Sequence, residues 1–139
     1  KVTVKYKNIT LREGIDYKVV YKNNKKIGTA KIYVIGLNNF KDSNTYKMKI
    51  IPAKTKITKK KATKKKITLK LKKVKGATGY QVVYSLKKNF KGKKNINTKK
   101  RTVVIKRKKS GKYYVKVRAY KKIGKKYVYG NYTKRITIK

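Results

Sequence analysis

"YYVKVRAYKK", residues 113–122, alternates with period two: Tyr113, Val115, Val117 and Ala119 fall on one face, and Tyr114, Lys116, Arg118 and Tyr120 on the other. That period belongs to a strand with one buried face. The same alternation returns in "DYKVVY" (16–21), "TAKIYVIG" (29–36), "TYKMKII" (45–51), "KITLKLKKV" (66–74), "GYQVVYS" (79–85), "RTVVIKR" (101–107) and "KRITIK" (134–139), and helical periodicity is convincing nowhere. Between the runs stand segments such as "NNKKIG" (23–28), "GLNNF" (36–40), "KGATG" (75–79), "FKGKK" (90–94), "KSGK" (109–112) and "KKIGKK" (121–126), whose Gly or Asn residues tolerate the positive φ of turns. The chain is therefore expected to be all-β, with short strands spaced as in a sandwich.

Every charge in the opening stretch is positive, and the bias is global: 46 Lys+Arg stand against 3 Asp+Glu in 139 residues, a formal net charge of +43. Codon bias can inflate lysine, but it does not remove glutamate. Lys outnumbers Arg 41 to 5, which favours hydrated contacts with diffuse anions over the bidentate geometry of specific phosphate or guanine recognition. An ordinary solvated face mixes both signs. Here "KITKKKATKKK" (56–66), "LKKNFKGKK" (86–94), "NTKKRTVVIKRKKSGK" (97–112) and "YKKIGKKY" (120–127) hold only one.

These runs supply the residues expected to hold a polyanion. They are Lys64, Lys65 and Lys66; Lys99, Lys100 and Arg101; Lys106, Arg107 and Lys108; Lys116 and Arg118 of the opening stretch; and Lys121, Lys122, Lys125 and Lys126. Tyr114, Tyr120, Tyr127, Tyr129 and Tyr132 are interleaved with them. Aromatic rings among cations suit stacking on bases or sugar rings, and equally suit cross-strand packing on a wet sheet face.

The 38% apolar content lies below the roughly 45–50% of ordinary globular chains, so the core should be thin. High charge with low hydrophobicity also marks disorder, but 13 tyrosines and repeated β-branched alternation oppose it. With no cysteine and no histidine there is no disulfide, thiolate or zinc-thiolate site, and the commonest general base is missing. The only carboxylates are Glu13, Asp16 and Asp42. Glu13 and Asp16 stand three apart in "REGIDY", yet Asp16 reads better as the cap of the turn entering its strand than as half of an acid–base pair. Three carboxylates are too few for a calcium cage of six to eight oxygens, and the cationic field opposes any metal ion. No phosphate-cradling glycine motif occurs. No enzyme activity, metal or cofactor is expected, and no apolar run approaches the ~18 residues of a membrane span.

Pro52, the single proline, follows "TYKMKII" and precedes "AKTKITKKKATKKK" (53–66), a polar stretch with few apolar anchors. A boundary between two modules, residues 1–52 and 53–139, is expected there; the alternative is that Pro52 ends an edge strand of one larger sandwich.

Residues 53–139 resemble the fibronectin type III modules of surface and secreted proteins of low-GC Gram-positive bacteria. Tyr80, Val82 and Tyr84 match that family's third strand and "SGKYYVKVRAY" its sixth, with Tyr113 standing at the tyrosine corner; Leu71 replaces the usual buried Trp. Residues 1–52 resemble a bacterial immunoglobulin-like surface repeat, through Leu11, Gly14, Asp16 and Tyr17, the Asn23–Asn24 turn, Gly28-Thr29-Ala30 and the Asn39-Phe40 turn, where Asp42 replaces a glycine. The resemblance implies two small immunoglobulin-like/fibronectin-like sandwiches in tandem, acting as spacers or presenters within a larger extracellular or cell-surface chain. Some modules of this kind crosslink Lys to Asn beside a buried carboxylate, but no residue here marks a buried Lys. Charge and resemblance together make adhesion to anionic polymers (teichoic acid, acidic polysaccharide, extracellular nucleic acid) the expected role; a purely structural spacer and a sequence-nonspecific nucleic-acid binder are the alternatives.

Overall fold

A computed structural model describes the whole chain, Lys1–Lys139. It is all-β, with no helix, and divides into two compact units, Lys1–Ile50 and Ile51–Lys139. Pro52 lies in the second unit: its side chain is buried, and Gly130 approaches it so closely that a Cβ there would come within 2.5 Å of the Pro52 carbonyl oxygen.

The first unit has a small hairpin, β1 (Lys5–Tyr6) and β2 (Ile9–Thr10), and an antiparallel meander of β3 (Tyr17–Lys22), β4 (Gly28–Gly36) and β5 (Ser43–Ile50) in that order. Its fully buried apolar side chains are only Tyr17 and Ala30. Polar contacts do much of the remaining positioning. The Tyr17 hydroxyl donates to the Val2 carbonyl at 3.3 Å, and Asn38 Nδ2 donates to the Ile15 carbonyl at 2.8 Å. Asp16 Oδ2 accepts from the Arg12 N–H at 2.8 Å and from Arg12 Nε at 3.2 Å, which is the turn-capping role expected of it. The register sets Lys22 opposite Lys31 and Lys31 opposite Lys47, a row of three like charges across the sheet.

The second unit comprises β6 (Ile57–Ala62), β7 (Lys66–Leu71), β8 (Gly79–Ser85), β9 (Lys94–Thr98), β10 (Thr102–Lys106), β11 (Tyr113–Ile123), β12 (Lys126–Tyr129) and β13 (Ile136–Ile138). One sheet runs β10–β7–β6; the other runs β12–β11–β8–β9, with β13 also paired to β11. Their inner faces meet in one core. Ile67, Leu69, Leu71, Val103 and Ile105 come from the first sheet, and Tyr80, Val82, Val115, Val117 and Ala119 from the second. Each Val, Leu or Ile among them contributes about 1.5–3 kcal/mol by leaving water. Tyr113, Val115, Val117 and Ala119 of the opening stretch are all buried, on the face the alternation assigns them.

Two local readings change. The stretch after Pro52, read as polar with few apolar anchors and not as a strand, contains strand β6, whose Ile57 alone packs against the core while its lysines stay exposed. Tyr120, placed by alternation on the solvent face, is only 6% exposed. It stands directly opposite Gly79, where a Cβ would come within 2.6 Å of the Tyr120 hydroxyl, and its ring meets Tyr127 and Tyr129 edge-on at 5.2 and 6.2 Å.

Candidate polyanion-binding surface

Because Ile67, Leu69 and Leu71 point inward, Lys66, Thr68 and Lys70 of β7 point out. The register then sets Lys59 and Thr102 beside Lys70, Lys61 and Val104 beside Thr68, and Lys106 beside Lys66. Five lysines thus frame a centre of Thr68 and Val104. Lys59 faces Lys70 and Lys66 faces Lys106 as direct cross-strand partners, whose Cβ atoms lie about 4.5–5.5 Å apart in such pairs and whose like charges repel. A shallow groove of ≈ 410 Å³ runs over this face, lined by Lys59, Lys61, Lys66, Thr68 and Lys70 among others.

The expected ligands cluster around this face in part. Lys64 and Lys65 form the exposed tip of the β6–β7 hairpin, closed by the Thr63 N–H donating to the Lys66 carbonyl at 2.8 Å. Lys99, Lys100 and Arg101 occupy the β9–β10 connection; the Arg101 carbonyl accepts the Leu71 N–H at 2.8 Å, which puts this trio at the opposite end of the same sheet. Lys59, Lys61 and Lys70 were not singled out from sequence, since only the cross-strand register brings them together. Lys121, Lys122, Lys125 and Lys126 lie apart, around the β11–β12 turn.

Arg107 is committed elsewhere. Its Nη1 and Nη2 donate to the Thr63 and Gly111 carbonyls at 3.1 and 3.0 Å, and its guanidinium lies 5.2 Å from the Tyr113 ring centroid. It clamps the β6–β7 hairpin to the loop before β11. Lys108, next in sequence, remains exposed.

On the other sheet the outer side chains of β11 form a ladder. Lys116 Nζ lies 4.5 Å from the Phe90 ring and 4.4 Å from Tyr132; Arg118 Cζ lies 4.4 Å from Tyr132 and 3.7 Å from Tyr129. Arg118 Nε and the Tyr132 hydroxyl both donate to Gln81 Oε1, at 2.8 and 3.0 Å. The ladder roofs Gln81 and Val83, which are 7% and 1% exposed although they sit on the sheet's outer side. Burial pushes the Tyr132 phenol up, with Arg118 opposing and Tyr129 adding; burial likewise raises Tyr120, helped by Tyr127 and Tyr129. Lys116, Arg118, Tyr120, Tyr129 and Tyr132 therefore form a packed layer, whereas Tyr127 is 40% exposed and Tyr114 half-buried beneath Arg135 at 5.6 Å. Phe90 and Gln81 escaped the sequence reading. The one signal was a lone aromatic in the lysine run "LKKNFKGKK".

The carboxylates take no part in these surfaces: Asp16 is held by Arg12, which keeps its carboxyl below the usual range through the backbone and side-chain hydrogen bonds. No three His, Cys, Asp or Glu side chains gather to hold a metal ion, and no helix is long and apolar enough to cross a membrane. Compared by sequence, the chain matches no protein-family model and no curated protein.

Proposed function

We propose that the chain is a tandem of an immunoglobulin-like repeat and a fibronectin type III-like module, and that it adheres without catalysis to anionic polymers at a cell surface or outside the cell. Teichoic acid, acidic polysaccharide and extracellular nucleic acid are the candidate polymers. The observation that carries the reading is the β10–β7–β6 outer face, where Lys59, Lys61, Lys66, Lys70 and Lys106 converge with no carboxylate among them. Two features support the module assignment. The first, second and fifth strands of the second unit form one sheet and the rest the other. The Tyr113 hydroxyl also donates to the Lys109 carbonyl at 3.1 Å, the backbone bond that a tyrosine corner makes to residues just upstream.

Binding of this kind draws its affinity from counterion release and loses it with salt. Titration with dextran sulfate or duplex DNA should show affinity falling by roughly a thousandfold between about 50 and 200 mM salt when six or more anionic groups are engaged, with little preference among DNA sequences. An isotherm flat in salt would leave the spacer reading in its place.

A further inference from the structure

The open end of the second unit's two sheets holds a cavity of ≈ 380 Å³ that shares only Lys106 with the lysine-framed face. Its floor is apolar. Tyr84 and Tyr113 stack there with ring centroids 6.3 Å apart and planes at 26°, and Leu86, 43% exposed, stands beside them. Lys87, Lys91 and Lys94 rise on one flank, from β9 and the loop before it; Lys106, Lys108 and Lys109 rise on the other, from the end of β10 and the loop after it. No acidic residue lines it.

We infer that this cavity takes one ring of an acidic sugar polymer, a uronate or sulfated hexose lying on Tyr84 and Leu86 with anionic groups reaching the lysines on both sides. The inference rests on the proposed adhesion to anionic polymers and names the class of residue recognised. An apolar floor selects a ligand with a hydrophobic face, which a ringless polyphosphate lacks. Cations on both flanks select a chain that carries charge on either side of that face, which a single-headed amphiphile does not. Volume fits as well, since cavities of about 300–1,000 Å³ hold small ligands.

The test is calorimetric titration of the full chain with a fully sulfated disaccharide and, separately, with inorganic polyphosphate, in low salt. Three variants separate cavity from bulk charge: Leu86→Ser, which trims the floor at constant charge; Lys108→Gln with Lys109→Gln, on the rim; and Lys59→Gln with Lys61→Gln, which removes the same charge from the β6 face. Leu86 is exposed enough that its replacement leaves the core intact, and matching melting curves verify this. The floor and rim variants should each weaken disaccharide binding about tenfold, equivalent to about 1.4 kcal/mol, with the β6 pair changing it less than about twofold. Leu86→Ser should leave polyphosphate binding unchanged. Equal losses from rim and β6 pairs, no loss from Leu86→Ser, or no disaccharide binding at all would overturn the cavity. If polyphosphate still binds in that case, the broader adhesion reading survives; if neither polyphosphate nor long polymers bind while the cavity variants behave as expected, only that broader reading falls.

Discussion

The guanidinium of Arg118 stacks on the ring of Tyr129, with 3.7 Å between Cζ and the ring centroid. A chain with a single ion pair, Arg12–Asp16, nonetheless makes eight contacts between cations and aromatic rings. These eight contacts, shared among six cationic side chains, show that the negative faces of the rings serve where other proteins use carboxylates. Arginine suits the tightest rung because its flat cation can lie between two rings while Nε still reaches Gln81.

Replacing Arg118 by Ala therefore removes two ring contacts and half of the donors to a buried carbonyl. The free energy of unfolding should fall by about 1–3 kcal/mol, read from the shift of the denaturation midpoint. Arg118→Lys should recover only part of that loss, and affinity for dextran sulfate should stay within about twofold. An unchanged midpoint would show that the ladder is decoration.

Gly79→Ala drives a Cβ to within 2.6 Å of the Tyr120 hydroxyl and 2.5 Å of the Thr98 carbonyl oxygen. Overpacking between two fixed strands should cost about 1–3 kcal/mol, read from urea unfolding. The variant Gly79→Ala with Tyr120→Val should recover part of that loss, because only the Tyr120 clash is relieved.

The raised phenols of Tyr132 and Tyr120 make the fold sensitive to alkali. A folded-state pKa above the ordinary value of 10.0 contributes stability that is complete below that pH and is lost as pH rises through the folded value. Easing repulsion among lysines, with pKa ~10.4, acts in the opposite direction over the same range. The difference in Tm between wild type and Tyr132→Phe isolates the phenol, and it should shrink between about pH 9 and 11. On the acid side the depressed Asp16 carboxyl contributes stability present above 3.8 and lost as pH falls through its folded value. Asp16→Asn should flatten that acid limb for the first unit.

Lys59 and Lys70 are directly opposed, so the surface proposed to hold anionic polymers is also one where like charges repel. Lys59→Glu should turn a repulsive cross-strand pair into an attractive one, stabilising the second unit by about 0.2–1 kcal/mol in low salt and by less in high salt. The same change should weaken dextran sulfate binding. Sulfate should raise the Tm of the wild type more than chloride at matched ionic strength, since an anion bound between the two lysines does what the glutamate does.

Strands β7, β10 and β11 were legible because each buries every second side chain along most of its length, so Ile67–Leu69–Leu71 or Val115–Val117–Ala119 writes its face into the sequence, and β8 was legible as a short β-branched run although it is buried on both faces. Strands β6, β9 and β12 were not. They are peripheral, largely wet on both faces, and lysine at "ITKKKA" carries no period to read. The cationic character of the site was plain from composition, but which cations are free was not. Lys116 and Arg118 meet Phe90, Tyr132 and Tyr129 only through folding, and Arg107 is withdrawn by carbonyls of Thr63 and Gly111. Local sequence shows a charge; tertiary structure decides whether it has company.

The row Lys22, Lys31 and Lys47 ends at both margins of the first unit's sheet. A second copy arriving margin to margin would set its own lysine against this one, so bare protein resists growing into continuous sheets. The same row makes the sheet's margins, and not only its faces, carriers of the chain's one-signed charge.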